Sequence, residues 1–422
     1  MGSVGGEGTG NNVPKEKGWL RRSGFLRYFG PALIVSVAYF DPGNFGTDIA
    51  GGQGFNYDLL WVVWLASMMA MLLQYLSGKL GIATGRSLAE LAREKLGSRR
   101  RVISYWLACE VFAVATDLAE FLGVTVALSL LFGIPQIWAA AIASFDVLFI
   151  FALAGREFRR IELLMVGLVS VVGLGYIYEV LITRPDYFAI AYHSVVPTLS
   201  LSAVPVAVGI IGATVMPHAL VVHSWLTKNK LQRGDAEEKR TLLRYHVFDT
   251  VANLSGAALI NVAILVMAAA AFFGRASVAT LEDAYVTLTP LFGSLSAIVF
   301  ALTLLCSGLS SSTTGVLAGQ ALMEGLLGSN VHPWLRRVVL RGINVFPTMV
   351  ALVLGFNILS LLVYSQVLLS ILIPLPLIPL LYFTSKRSYM GGFVNRRTTT
   401  YVALAFTVVI LAFNAFLLVT SL

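Results

Sequence analysis

The stretch Gly30-Pro31-Ala32-Leu33-Ile34-Val35-Ser36-Val37-Ala38-Tyr39-Phe40-Asp41-Pro42-Gly43-Asn44-Phe45 sets a carboxylate, a proline and a glycine in the middle of an apolar run. The apolar pieces on either side are each too short to cross a bilayer alone. Asp41-Pro42-Gly43-Asn44 therefore reads as a break within one crossing, not a turn between two. Proline removes a helix donor and clashes with the preceding turn, and glycine relaxes the backbone further. A second break, Met216-Pro217-His218, follows the run Val208-Gly209-Ile210-Ile211-Gly212-Ala213-Thr214-Val215. Non-helical backbone at membrane depth survives only where it is buried in protein or lines a cavity. The two breaks predict an internal cavity.

The rest of the chain fits that setting. Hydrophobic residues make up 57% and charged residues 12%, with a mean hydropathy of +0.80. Soluble domains carry about a quarter charged residues, so this chain could not cover a water-facing surface. Eleven apolar runs are expected to span, at roughly 25–53, 57–82, 102–130, 135–154, 161–183, 204–227, 244–273, 288–325, 336–356, 358–383 and 399–421. They are continuous, not alternating, which excludes a β-barrel. With the N-terminus cytoplasmic, all but two of the 30 Lys and Arg fall inside or at inner helix ends, the exceptions being Arg184 and Arg275. That asymmetry follows the positive-inside rule, and one helix too many or too few would destroy it. The expected product is an all-α, multi-pass protein of the cell membrane, monomeric, with its C-terminus outside. Residues 1–24 read as a disordered cytoplasmic tail with no signal-peptide core. The formal charge of +8 is spread over short loops and does not suggest nucleic acid.

The breaks open the first and sixth runs, the matching places of two five-helix halves, 25–183 and 204–383, of opposite topology, with 399–421 left over as an eleventh helix. Paired Pro/Gly breaks in corresponding positions are the best sequence pointer to a secondary-transporter binding site. A carboxylate near the bilayer centre needs a cation or a proton as partner, which singles out Asp41. Asn44 can turn an amide oxygen toward the same point, and the break frees carbonyls near Ala38. Met216 offers a thioether at the opposing break, with a freed carbonyl near Ala213. Oxygen ligands suit any hard cation, whereas a soft sulfur favours transition metals over Mg²⁺ and Ca²⁺.

Helix three carries Glu110, Asp117 and Glu120 along one stripe. Such a stripe suggests a proton relay, and Arg341 in helix nine is the candidate partner for a structural salt bridge instead. His218, beside the second break, can titrate near neutral pH. His223 lies about 140° round the helix from it, so the two cannot hold one metal together. His193, His246 and His332 are placed in loops or at helix ends, without a role. Cys109 and Cys306 lie in apolar runs and read as small hydrophobes.

Together these motifs resemble the Nramp (natural resistance-associated macrophage protein) family of divalent metal transporters. The resemblance also takes in Ala115-Thr116-Asp117-Leu118-Ala119-Glu120-Phe121, Ser307-Gly308-Leu309-Ser310-Ser311-Ser312, Leu317-Ala318-Gly319-Gln320 and Ser365-Gln366-Val367. It implies a LeuT-type fold of two inverted five-helix repeats plus one C-terminal helix, with helices 1 and 6 broken. It also implies proton-coupled import of Mn²⁺ or Fe²⁺, with Co²⁺ and Cd²⁺ accepted, and no bound cofactor. Carried over, the metal ligands are Asp41, Asn44, Met216 and the carbonyls of Ala38 or Ala213, with Gln366 completing the set. Asn261, Thr214 and His223 are supporting positions. His218, Asp117, Glu120, Glu110 and Arg341 form the implied proton route. Magnesium-transporting relatives lack the methionine. One departure is Ala219, where relatives commonly carry asparagine.

A sodium-coupled amino-acid transporter of the same fold is the alternative, but it would need small and hydroxyl residues at both breaks. An intramembrane enzyme is not expected. His-Glu-x-x-His is absent, and no second aspartate motif accompanies Asp41.

Overall fold

A computed structural model describes residue 35 and residues 37–146, 158–228, 236–275, 280–328 and 333–421. The expected tail at 1–24, positions 25–34 and 36 of the leading run, positions 147–154 of the fourth run and His332 lie outside these. Among the described residues the secondary structure is entirely helical.

The leading crossing is helical at Val37–Ala38, turns at Tyr39–Phe40, and restarts as α1 (Pro42–Phe55). Asp41 caps that restart from extended backbone, and Pro42 takes the first helical position, where its missing donor costs nothing. Then follow α2 (Leu60–Thr84), α3 (Leu88–Leu96), α4 (Arg99–Phe132), α5 (Gln136–Ala143), α6 (Phe158–Thr183) and α7 (Tyr187–Val195). The second break separates α8 (Val204–Val215) from α9 (Pro217–Lys228). The chain continues as α10 (Ala236–Phe272), α11 (Leu281–Phe292), α12 (Ser294–Leu322), α13 (Pro333–Val353), α14 (Ile358–Leu372), α15 (Pro374–Ser385) and α16 (Arg397–Ser421).

Eight segments among the described residues are long and apolar enough to cross a membrane, with Arg341–Val353 a shorter apolar helix. The chain is a multi-pass membrane protein. Three expectations change in detail. The seventh run begins at Ala236, not 244, because Glu237, Glu238, Lys239 and Arg240 extend the helix beyond its apolar part. The eighth run is two helices. Gly293, at φ +92°, ends α11 before α12 begins, and α11 starts on a capping box between Thr280 and Asp283. The tenth run carries a junction at Ile373–Pro374. Short helices α3 and α7 were not foreseen, α3 because its apolar residues line only one face and α7 because nine residues are too few to cross a membrane.

Between membrane helices the hydrophobic effect supplies little, so close packing must hold them. A Cβ on Gly212 would lie 2.0 Å from the Gln366 carbonyl oxygen, so α8 and α14 touch backbone to backbone just before the second break. Phe45 and Ile49 of α1 pack into a buried cluster with Tyr176, Met267, Phe300 and Leu304. At the end of α9, Lys228 Nζ reaches Glu90 Oε1 at 2.7 Å and Glu324 Oε1 at 2.8 Å, tying α9 to α3 and to the π turn after α12. Burial raises the Glu90 carboxyl, but Lys228 and Ser87 more than offset this and hold it below the usual carboxylate range.

Candidate functional site

Both breaks converge on Asn44. Asp41 Oδ1 accepts from the Asn44 backbone at 2.8 Å and from Asn44 Nδ2 at 2.7 Å. The same amide donates across the cavity to the Ala213 carbonyl at 3.0 Å. Its oxygen accepts from Thr214 Oγ1 at 3.1 Å and Asn261 Nδ2 at 3.2 Å. One side chain thus links the break of the first crossing, the end of α8 and the middle of α10. In this state Asn44 presents its nitrogen to Asp41 and its oxygen to Thr214 and Asn261. To offer that oxygen to an ion the amide must turn, exchanging those two hydrogen bonds for a ligand bond.

Met216 ends α8 with φ +48°, a region that L residues seldom occupy. Strain of this kind costs about 1–3 kcal/mol and persists where surrounding structure imposes it. It delivers a fully buried thioether at the gap between α8 and α9. Ala38 and Ala213 are also buried, at the last helical residue before the first break and two residues from the end of α8. The Ser307 hydroxyl of α12 donates to the Phe40 carbonyl, so the serine-rich motif of that helix satisfies backbone left over by the first break.

Gln366 of α14 reaches the same point. A Cβ on Gly43 would lie 2.3 Å from Gln366 Nε2 and 2.8 Å from Asp41 Oδ2, so only glycine leaves the three groups room to meet. Gln366 Nε2 donates to Ser365 Oγ at 2.9 Å, while its buried Oε1 has no hydrogen-bond partner among the described residues. Of the expected ligands and supports, Asp41, Asn44, Ala213, Thr214 and Asn261 are joined by hydrogen bonds, Gln366 lies beside Asp41 across Gly43, and Met216 is buried at the second break.

The expected proton-route residues divide into separate contacts. His218 Nδ1 lies 3.0 Å from Thr116 Oγ1, which itself sits 2.9 Å from the Phe112 carbonyl. Threonine has one proton, and giving it to that carbonyl leaves Nδ1–H of His218 as donor and Nε2 with the lone pair. Asp117 Oδ2 accepts from Asn344 Nδ2 at 2.7 Å and stands 3.8 Å from Arg341. Glu120 is buried, its Oε1 2.9 Å from where a Cβ on Gly315 would be. Glu110 instead pairs with Arg336 at 2.6 Å, beside a cavity of 410 Å³ bounded by Trp106, Met323 and Ile343.

Two readings need correction. Arg341 is held chiefly by Asp146, at 2.8 and 2.7 Å from its two oxygens, and only at longer range by Asp117. Its guanidinium also lies 5.0 Å from the Phe121 ring centre. Asp146 was missed, although the rule that singled out Asp41, a lone carboxylate inside an apolar run, applied equally to it. His246, placed at a helix end from sequence, is buried within α10. Its ring is 4.9 Å from that of His223, and His223 Nδ1 sits 3.0 Å from Gln74 Oε1. His218 and His223 do face different neighbours, as their spacing requires. Ala219 is fully buried, beside the second break.

The chain matches the Nramp family, described as natural resistance-associated macrophage protein-like, over residues 32–420. It is 43% identical over 395 residues to the divalent metal cation transporter MntH of Deinococcus radiodurans, covering 93% of this chain and 89% of that one. The MntH of Granulibacter bethesdensis is 43% identical over 410 residues, 96% and 90% of the two chains. Among solved structures, the Eremococcus coleocola manganese transporter superposes with a TM-score of 0.84 at 31% identity, covering 96% of this chain and 88% of that one. Mhp1, a nucleobase-cation-symport-1 family transporter, superposes with a TM-score of 0.62 at 14% identity, over 93% and 89% of the two chains, a likeness of fold alone. The fold is of the LeuT type.

Proposed function

Because the chain belongs to the Nramp family, we propose that it is a secondary transporter that imports divalent transition-metal ions, Mn²⁺ foremost and Fe²⁺, Co²⁺ and Cd²⁺ with it, in symport with protons. The observation that carries this reading is the junction of Asp41, Asn44, Ala213 and Gln366 across two apposed helix breaks, with the Met216 thioether at the second. Asp41 supplies charge, Asn44 and Gln366 supply amide oxygens, and the carbonyl of Ala38 or Ala213 completes the set as the halves move. Met216 makes the site soft enough to prefer Mn²⁺ over Ca²⁺.

The proposed cycle is alternating access within a cell membrane, with the N-terminus cytoplasmic and the C-terminus outside. The ion replaces water at Asp41 while Asn44 turns its oxygen inward, breaking its contacts with Thr214 and Asn261. The halves on either side of the breaks then reorient and the ion leaves toward the cytoplasm. A proton displaced from Asp41 passes to His218, whose Nε2 lone pair is kept available by the Thr116 contact at Nδ1. Asp117 and Glu120 carry it onward, beside the fixed positive charge of Arg341 held by Asp146, with Glu110 at the inner end.

Purified protein in proteoliposomes loaded with a pH dye tests this. Mn²⁺ uptake should acidify the lumen, and Asp41→Ala should abolish both signals. Amino-acid uptake without metal uptake would reverse the reading, and metal uptake without acidification would remove the symport.

A further inference from the structure

The cycle above leaves the buried carboxylate of Asp48 without a task. Asp48 lies on the face of α1 that carries Asp41 and Asn44, seven and four residues on. At 1.5 Å of rise per residue it stands about 10 Å from Asp41, toward the 56–59 end of the crossing. It is 1% exposed, and neither carboxylate oxygen has a hydrogen-bond partner among the described residues. Buried polar atoms are paired in nine cases of ten or more, and an isolated ionised carboxylate is far costlier than a neutral orphan.

Further oxygens beside it point the same way. Asn261 spends its nitrogen on Asn44, one turn before Asp48, and its own oxygen is buried without a partner among the described residues. Glu179 of α6 is fully buried. One of its oxygens accepts from Ser296 Oγ at 2.7 Å and the other has no partner among the described residues. Tyr176, one turn before Glu179 on α6, packs against α1, its ring centre 6.0 Å from that of Phe45. Its hydroxyl, beside Thr303, lies within electrostatic reach of both Asp48 and Glu179. Beyond Asn44, acceptor oxygens without a donor among the described residues thus occur on Asp48, Asn261 and Glu179. A cation passing along them would find oxygen ligands that no hydrogen-bond donor of the described residues occupies. The set is all oxygen, with no sulfur, so it would hold Mn²⁺, Ca²⁺ or Mg²⁺ with little discrimination.

We propose that Asp48, Asn261, Tyr176 and Glu179 form an outer staging subsite, where an incoming divalent cation is held before it passes to Asp41. The inference rests on the metal-transport reading and on its orientation. It divides the labour: the outer oxygens concentrate cations of any kind, and Met216 selects among them one step further in. Ca²⁺ should therefore obstruct Mn²⁺ entry without itself being carried.

The test uses the full chain in proteoliposomes, with MnCl₂ as the transported ion and CaCl₂ as competitor. In Asp48→Asn, which keeps shape and loses charge, KM for Mn²⁺ should rise about tenfold, equivalent to about 1.4 kcal/mol. The maximal rate should stay within about twofold, because the chemistry at Asp41 is untouched. The Ca²⁺ inhibition constant should rise by a similar factor. Glu179→Gln should move both constants in the same direction, and it decides the matter alone if Asp48→Asn does not elute as a folded species on size exclusion. Unchanged KM and unchanged Ca²⁺ inhibition would overturn the subsite. So would an effect confined to the pH profile of uptake, which would make Asp48 a proton site. Asp41→Ala separates the two layers. If the parent carries no Mn²⁺, the metal reading itself falls, and if Asp41→Ala still transports Mn²⁺, the inner site at Asp41 falls. If it is inactive while Asp48→Asn behaves as the parent, only the staging subsite falls.

Discussion

Adding a single methyl group at Gly43 should disable the site without removing any of its ligands. In Gly43→Ala the new Cβ would lie 2.3 Å from Gln366 Nε2, 2.4 Å from Gln366 Cδ and 2.8 Å from Asp41 Oδ2. An unstrained contact needs roughly 3.5 Å, so the Gln366 amide must retreat by about 1 Å, away from Asp41. The obstacle is the end of a flexible side chain, which makes the substitution tolerable for folding and harmful for geometry. Overpacking of this size costs about 1–3 kcal/mol. If that cost falls on the metal-bound state, where Gln366 must approach, uptake efficiency drops by about five- to 150-fold. Mn²⁺ uptake in proteoliposomes over a concentration series, with size exclusion and thermal unfolding of the same preparations, measures it. Gln366→Ala removes the obstacle, so Gly43→Ala/Gln366→Ala should transport better than Gly43→Ala alone, a non-additivity that marks direct contact. Gly43→Ala with parental kinetics, or a double variant no better than Gly43→Ala, would refute the reasoning.

Met216→Ala should retain part of its Mn²⁺ uptake while admitting Ca²⁺ and Mg²⁺ as competitors at the inner site. Parental rejection of Ca²⁺ transport would remove sulfur from the selectivity argument. Asp146→Asn leaves the Arg341 guanidinium buried and without its nearest counter-charge. Destabilisation on the order of 3–5 kcal/mol is expected, read as early thermal unfolding in detergent, and partial relief should come from Asp146→Asn/Arg341→Met. Glu90 has its carboxyl held low by Lys228 and Ser87 despite burial. Its contribution is therefore complete above the ordinary glutamate range and is lost as pH falls through the lowered value. The unfolding temperature should fall from pH 7 to pH 3 by more in the parent than in Glu90→Gln, and equal falls would show that the Lys228 contact adds nothing.

How much of this was legible in the chain differs from residue to residue. Asp41, Asn44, Pro217 and Met216 announce themselves, because a proline or a carboxylate inside an apolar run has a local cost that any fold must meet. The same local cost marks Asp146 and Asp48, yet neither sits in a break, and nothing nearby in sequence says what would face them. Asp146 gained its meaning only when α13 brought Arg341 against it. Thr116 looked like one more small residue of helix three until His218 was placed 3.0 Å from its hydroxyl.

The sequence by itself determined that the chain crosses a membrane many times and where two crossings must break. Those are properties of short stretches, set by transfer free energy and by what proline does to a helix. The tertiary structure alone decided that Asn44 spans both breaks, that Gln366 and Asp41 crowd the bare Cα of Gly43, and that the buried Asp48 carboxylate finds no hydrogen-bond donor among the described residues. Each of these depends on how helices far apart in sequence approach one another. In a bilayer that approach is governed by backbone contact at small residues such as Gly212, whose consequences hydropathy does not record.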